Sequence, residues 1–290
     1  MVALLALLAS MGCPPEQIVR VDLHRWAARV RAADGTALGP LLAELKLRPP
    51  ADVVALLQAD GRLPHDLSEP ALDGRAPSLP ACGAQPVRVA GVDVFTAALT
   101  GPRARDQVVQ VRLEECARDV NGAAVSLRTQ VLAPLPGGAF CAVGDDLSTD
   151  RLRSDFGCGE HPDRALPRLL AFKSVTSKDI RTIEARDATG VCDGGGESLS
   201  FWNVQGASLR RIFEVELDES AWAPHGNERE RRVVLELRGG YPKEILVRAR
   251  EVLSGCHGED CFSKETSGER RFRLDGTRYV AVPPRRRRAR

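Results

Sequence analysis

The feature that most constrains the fold of this chain is an alternation of apolar and polar side chains with a period of two residues. It begins near Val87, and it is clearest over 109–114, where Val, Val and Leu alternate with Gln, Arg and Glu. Successive side chains of a β-strand point to opposite faces of its sheet, so the alternation predicts strands with one apolar and one solvated face. Strands of this kind are typical of antiparallel sheets rather than of a doubly wound parallel sheet.

Turn-forming residue pairs separate the alternating segments. These pairs are Asn121-Gly122, Gln205-Gly206, Gly239-Gly240 and Asp275-Gly276. Asn-Gly and Asp-Gly favour two-residue hairpin turns, because both positions of a type I′ turn need positive φ. In the last hairpin, a turn at Asp275-Gly276 predicts Phe272 opposite Tyr279. We therefore predict a mainly β fold, an antiparallel meander of hairpins that forms a sandwich, a barrel or a propeller fragment.

Other parts of the sequence predict segments that flank this β domain, which we place at 86–282. Three- and four-residue apolar spacing predicts a short helical segment over 14–61, with its third helix opening at Pro50. So short a segment buries little surface, and we expect it to need a partner face. Four prolines mark 62–85 as a linker, and 283–290 form a basic tail.

An apolar run opens the sequence and stops at Met11-Gly12-Cys13. The apolar segment Val2 to Ala9 has the length of the apolar region of a signal peptide and is too short to span a bilayer as a helix, so we assign 1–13 to a signal- or lipobox-like segment. The stop resembles the lipobox of bacterial lipoproteins, although Ser10 stands where that class has leucine and no basic residue precedes the run. The resemblance implies export and lipidation of Cys13, in the periplasm or attached to the outer membrane. A first helix packed on the core is the alternative.

The cysteines also favour export. None of the eight falls in the Cys-x-x-Cys spacing of zinc ribbons or thioredoxin-like sites, so a disulfide framework is the first interpretation. In the segment CHGEDC, Cys256 and Cys261 predict a disulfide that closes a hairpin tip, and a metal site that includes His257 is the alternative. Cys141 and Cys158 are further disulfide candidates.

Positive charge is concentrated at the end of the chain. The net charge is +2, and the last six residues include five arginines. The rest of the chain is slightly acidic, so we expect no nucleic-acid partner. The tail predicts contact with envelope components or anionic surfaces, or else a solubilising end without a dedicated partner. Its candidate polyanion-binding residues are Arg285, Arg286, Arg287, Arg288 and Arg290.

Catalytic signatures such as Gly-x-Ser-x-Gly, His-Glu-x-x-His and the phosphate-binding loop do not occur in the sequence. The acidic segment 144–163 offers carboxylates for a hard cation, although its spacing differs from that of an EF-hand. Its candidate metal ligands are Asp145, Asp146, Asp150 and His161. We predict an exported, lipid-anchored, non-enzymatic envelope protein with a binding or structural role and no cofactor. A hydrolase or metal-dependent enzyme that uses the 145–163 loop is the alternative.

Overall fold

The computed structural model describes residues 12–33, 35–48, 87–117, 122–144, 146–154, 169–191, 194–223, 227–257 and 260–283. Within these residues the chain is mainly β, and its strands pair in antiparallel sheets, which confirms the predicted fold class. The chain divides into two compact units. One comprises Met1–Pro162 with Val204–Leu209, and the other comprises Asp163–Asn203 with Arg210–Arg290. The β domain that we predicted over 86–282 is thus divided between the two units.

The first unit combines two short helices with one sheet. The helices are α1 (Leu23–Arg31) and α2 (Gly35–Glu44), and the strands are β1 (Ile18–Val19), β2 (Val87–Ala97), β3 (Asp106–Ala117), β4 (Gly122–Pro134), β5 (Phe140–Gly144) and β6 (Thr149–Ser154). The strand order is β1-β5-β4-β3-β2, and β6 pairs with β4 as well. Strands β5 and β6 therefore share one edge of β4, with β5 along its end and β6 along its beginning.

The helical segment begins at a polar cap and packs on the sheet. The carboxylate of Asp22 accepts hydrogen bonds from the backbone amides of His24 and Arg25, as an N-cap does. Trp26 is buried, and its indole N–H donates to the carbonyl of Leu41 at 2.8 Å, which ties α1 to α2. Both helices share a core with β2–β4, and this sheet is the partner face that we expected. The predicted third helix and the 62–85 linker lie outside the described residues.

Strand β4 departs from the predicted pattern of one dry and one wet face. All of its side chains from 126 to 132 are buried, polar ones included. Arg128 is tolerated there because its guanidinium donates to the carbonyls of Arg48, Leu127 and Thr149, at 3.0, 3.2 and 3.3 Å. Both faces of this central strand are therefore covered. The alternation of apolar and polar residues in its sequence does not mark a solvent-exposed face here.

The second unit is an eight-stranded meander. Its strands are β7 (Leu169–Lys173), β8 (Thr182–Val191), β9 (Gly194–Gln205), β10 (Ser208–Ala223), β11 (Asn227–Arg238), β12 (Glu244–His257), β13 (Asp260–Asp275) and β14 (Arg278–Ala281). They lie side by side in chain order, so the predicted meander is confirmed. One face carries the core, in which the ring of Phe213 meets Phe272 and Tyr279 edge to face, with centroids 5.2 and 6.0 Å apart.

The closing hairpin forms with a register different from the predicted one. Asp275 pairs with Arg278 and Leu274 pairs with Tyr279, so the turn residues are Gly276 and Thr277 rather than Asp275 and Gly276. Gly276 has φ +60°, and Thr277 is not among the described residues with positive φ. A glycine with positive φ at the first turn position is the type II′ pattern, which corrects the predicted type I′ turn.

Substitution of Gly276 by valine should strain this turn. The left-handed backbone at φ +60° disfavours a β-branched side chain, and we expect the free energy of unfolding to fall by about 1–3 kcal/mol. Arg278→Thr, an exposed change two residues away, should cost no more than about 0.5 kcal/mol. Chemical denaturation of both variants beside the parent measures the difference. Equal stability of Gly276→Val and the parent would contradict the assigned turn.

Candidate functional site

Strands β12 and β13 continue beyond the core of the second unit as a hairpin, which we call the arm. It comprises the described residues 248–257 and 260–269, from the pair Arg248–Glu269 to the pair His257–Asp260. Every side chain of β13 from 261 to 271 is exposed, although alternate residues point to opposite faces of the sheet. The arm therefore presents both faces of β13 to solvent, which is unusual for a strand of this length.

The sequence accounts for this exposure. The core face of β12 carries Ile245 and Val247, which are buried, and then reaches Ala249, which pairs with Gly268. The next pair on this face joins Glu251 to Thr266. Small and polar side chains offer little apolar area to bury, so the core ends where the arm begins.

Arginine and glutamate side chains form a ladder along the opposite face. Arg250 binds Glu265 through two N–H groups, each 2.9 Å from a carboxylate oxygen. Arg248 bonds Glu269 at 3.3 Å and lies 3.8 Å from Glu236. Ion pairs across neighbouring strands favour one register over others, and these exposed pairs link β12 to β13 where the apolar core has ended.

These ion pairs shift the titration of the carboxylates. The hydrogen bond from Arg250 lowers the pKa of Glu265 below its ordinary value of 4.5. The pKa of Glu269 is lowered as well, by hydrogen bonds from Arg271 and then Arg248. A carboxylate with a lowered pKa in the folded state stabilises that state above its unfolded pKa, and the contribution is lost as the pH falls through the folded value.

We expect acid to loosen the arm before it unfolds the core. Between about pH 7 and pH 3 the amide hydrogens of 261–271 should exchange faster relative to those of buried β8, after correction for the intrinsic rates. Glu265→Gln should produce part of this change at pH 7, because its amide cannot form the ion pair with Arg250. Hydrogen exchange followed by mass spectrometry checks both results. Unchanged relative protection in the arm would show that the ladder contributes nothing to its order.

A disulfide closes the tip of the arm. The structure links Cys256 to Cys261, with Cα atoms 4.0 Å apart. Oxidised sulfurs are no longer thiolates, so in this state the alternative metal site with His257 has lost both of its sulfur ligands. The bond joins the two strands at the point farthest from the core, where a hairpin would otherwise fray.

A second disulfide involves Cys13. Its sulfur is bonded to Cys141 of β5, and the two side chains are buried. A sulfur in a disulfide cannot also form the thioether to a lipid, so lipidation of Cys13 would replace this bond, and it stays a prediction. Cys141 was a disulfide candidate, but its partner had not been identified. Cys158 lies outside the described residues.

The acidic segment is not one continuous loop. Strand β6 occupies 149–154, and Asp150 pairs through its backbone with Ser126 of β4. Asp146 is exposed in the turn before this strand. Asp145 and His161 lie outside the described residues, as do Arg285–Arg290 of the tail. Among the side chains that the structure describes, no three His, Cys, Asp or Glu residues are placed to hold a metal ion.

Sequence reasoning missed a buried acid in the second unit. Glu184 of β8 is 3% exposed, and its carboxylate bonds Lys173 at 2.6 Å and Arg186 at 3.1 Å. Arg186 also approaches Glu197 at 3.5 Å. Each carboxylate oxygen of Glu184 lies beside a cation, and the two acidic and two basic side chains of this cluster balance in charge. The cluster also joins β7, β8 and β9. The only signal in the sequence was charge at alternate positions of a strand-like segment.

Comparison of the chain with protein-family models, with curated proteins and with solved structures found no match. Over the residues that the structure describes, no helix combines the length and apolar character needed to cross a membrane.

Proposed function

We propose that this chain is exported and serves as a non-enzymatic, disulfide-stabilised protein of the cell envelope, with the arm as its binding surface. The disulfide between Cys13 and Cys141 is the observation that carries the proposal. Disulfides persist in oxidising compartments and are rare in the reducing cytosol. The apolar run that resembles a signal peptide ends directly before Cys13, so removal of such a peptide would leave this cysteine in the mature chain.

The position of the bond supports export further. Cys13 lies just before the first described 3₁₀ turn, Pro15–Gln17, and its partner lies in β5 beside β1. The bond thus fastens the segment before β1 to the sheet, beside the pairing of β1 with β5.

The arm supports a binding role. The β13 side of the arm, whose side chains from 261 to 271 are all exposed, contributes little to the core of its own unit, yet ion pairs and a disulfide join it to β12. A surface ordered before it binds pays less conformational entropy on association. Its arginines and glutamates alternate, so a protein partner with charges of both signs suits it better than a uniformly anionic surface.

The alternative enzyme that would use 145–163 stays a prediction. Its residues Asp145 and His161 fall outside the described part of the chain, and no observation favours it over a binding role. Anionic surfaces as partners of the tail likewise stay a prediction.

Expression of the chain from Met1 in a Gram-negative host tests export. We expect the protein in the periplasmic fraction, and we expect peptide mapping without reduction to recover Cys13 joined to Cys141. A matched variant, Leu5→Arg, interrupts the apolar run and should leave the protein in the cytosol. A cytosolic parent protein with both cysteines reduced would contradict the proposal. Fractionation reports export and peptide mapping reports the disulfide, so loss of either one can be observed without loss of the other.

A further inference from the structure

The outer edge of β13 has no partner strand along the arm within the described part of the chain. Strand β14 pairs with β13 only from Phe272 to Asp275, and one further bond joins the amide of Val282 to the carbonyl of Arg271 at 2.7 Å. Among the described strands nothing pairs with this edge of β13 from 260 to 270. An exposed edge strand offers unpaired N–H and C=O groups to another strand.

The bond to Val282 shows which residues face outward. The N–H and C=O of one strand residue point to the same side, and successive residues alternate between the two sides. The carbonyl of Arg271 points away from β12. The backbone N–H and C=O groups of the other odd-numbered residues of β13 therefore point away from β12 as well. Their backbone groups are therefore the ones open to a new strand, and they belong to Ser263, Glu265, Ser267 and Glu269.

We propose that the occupant of this edge is the same edge of a second copy of the chain, paired antiparallel about a two-fold axis at Thr266. This inference rests on the proposed function, in that it identifies the partner of the arm. The outward backbone groups belong to odd-numbered residues in both copies, so each odd-numbered residue must lie opposite another odd-numbered residue to form hydrogen bonds. This is possible only if the two-fold axis passes through a residue and not between two residues.

Charge excludes the neighbouring registers. An axis at 264 or 265 would place Lys264 opposite Lys264, or Glu265 opposite Glu265. An axis at 267 would place Glu265 opposite Glu269 and Lys264 opposite Arg270. Like charges directly opposite each other are destabilising. An axis at 268 would pair Glu265 with Arg271, whose carbonyl already bonds Val282, so that only the pairs of Ser267 with Glu269 would remain. The axis at Thr266 reaches Arg271 only at the end of the ladder, opposite Cys261.

The register at Thr266 is free of directly opposed like charges. It places Thr266 opposite Thr266, a favourable pair of β-branched side chains. Glu265 then lies opposite Ser267, and Phe262 lies opposite Arg270 of the second copy. Phe262 is a large apolar side chain that is 39% exposed in the single chain, and an arginine over an aromatic ring is a favourable contact. The two arms together would form one continuous sheet.

Sedimentation velocity of the oxidised, full-length protein from about 1 to 200 µM tests the inference. We expect a concentration-dependent monomer–dimer equilibrium. Thr266→Lys should weaken it at least tenfold by opposing two lysines at the axis, whereas within one chain the new lysine lies opposite Glu251. Ser267→Glu should also weaken it, by opposing Glu265 of the second copy, although within one chain the new acid faces Arg250.

Two further variants separate pairing from folding. Ser267→Pro removes an outward amide and leaves the bonds between β12 and β13 in place, so it should abolish the dimer while the monomer stays folded by circular dichroism. Thr266→Val keeps the shape at the axis and should dimerise like the parent. A parent protein that stays monomeric over the whole range overturns the inference, as does unchanged dimerisation of Thr266→Lys and Ser267→Pro. Export and disulfide mapping are separate measurements, so either proposal can fail without the other.

Discussion

Replacement of Cys13 and Cys141 by serine should lower the free energy of unfolding by about 2–5 kcal/mol. The bond joins residues 128 apart in the sequence, so it removes a large number of open conformations from the unfolded chain. In the folded state it holds the segment before β1 against β5, next to the backbone pairing of β1 with the same strand. The loss should therefore be felt throughout the first unit.

The disulfide of the arm provides the matched comparison. Cys256 and Cys261 are only 5 residues apart, so their bond restricts the unfolded chain less. Replacement of both by serine should cost about 2 kcal/mol or less and should act on the arm rather than on the core. Urea unfolding of the two double variants beside the oxidised parent measures the order. If loss of the tip disulfide cost more than loss of the Cys13–Cys141 bond, the assigned roles of the two bonds would be wrong.

The hairpins were predictable because their signals are local. Alternating side chains and glycine-containing turns lie within about ten residues of each other, and the strand order of the second unit follows directly from a run of such hairpins. The turn register was less certain. Asp275-Gly276-Thr277 can place either pair at the tip, and the packing of Tyr279 beside Phe213 accompanies the observed choice.

The pairing of Cys13 with Cys141 could not be derived, because spacing alone does not determine disulfide connectivity. The same holds for buried charge. Arg128 and Glu184 look like solvated strand residues in the sequence, and only the carbonyls and cations that surround them explain their burial. The unpaired edge of β13 in the arm could not be predicted from the sequence either, because it depends on where β14 ends.

For the helical segment, the apolar spacing in the sequence matches the side chains that pack in the structure most closely. Substitution of Trp26 tests this match. Its side chain is 1% exposed, and it lies in a core made by both helices and the sheet. Trp26→Ala removes this packing and also the bond to the carbonyl of Leu41. We expect a loss of about 3–5 kcal/mol in the free energy of unfolding, which is the usual range for a large buried aromatic residue.

Two further variants help to interpret the destabilisation expected for Trp26→Ala. Trp26→Phe keeps much of the buried area but leaves the carbonyl of Leu41 without its donor, so it should cost about 1–3 kcal/mol. His24→Ala, an exposed change on the same helix, should stay within about 0.5 kcal/mol. Urea unfolding followed by circular dichroism ranks the three. If Trp26→Ala were as stable as His24→Ala, the helices would contribute nothing to the first unit, and the shared core of helices and sheet would be disproved. The expected ranking instead makes this segment part of the folded unit that the Cys13–Cys141 disulfide secures.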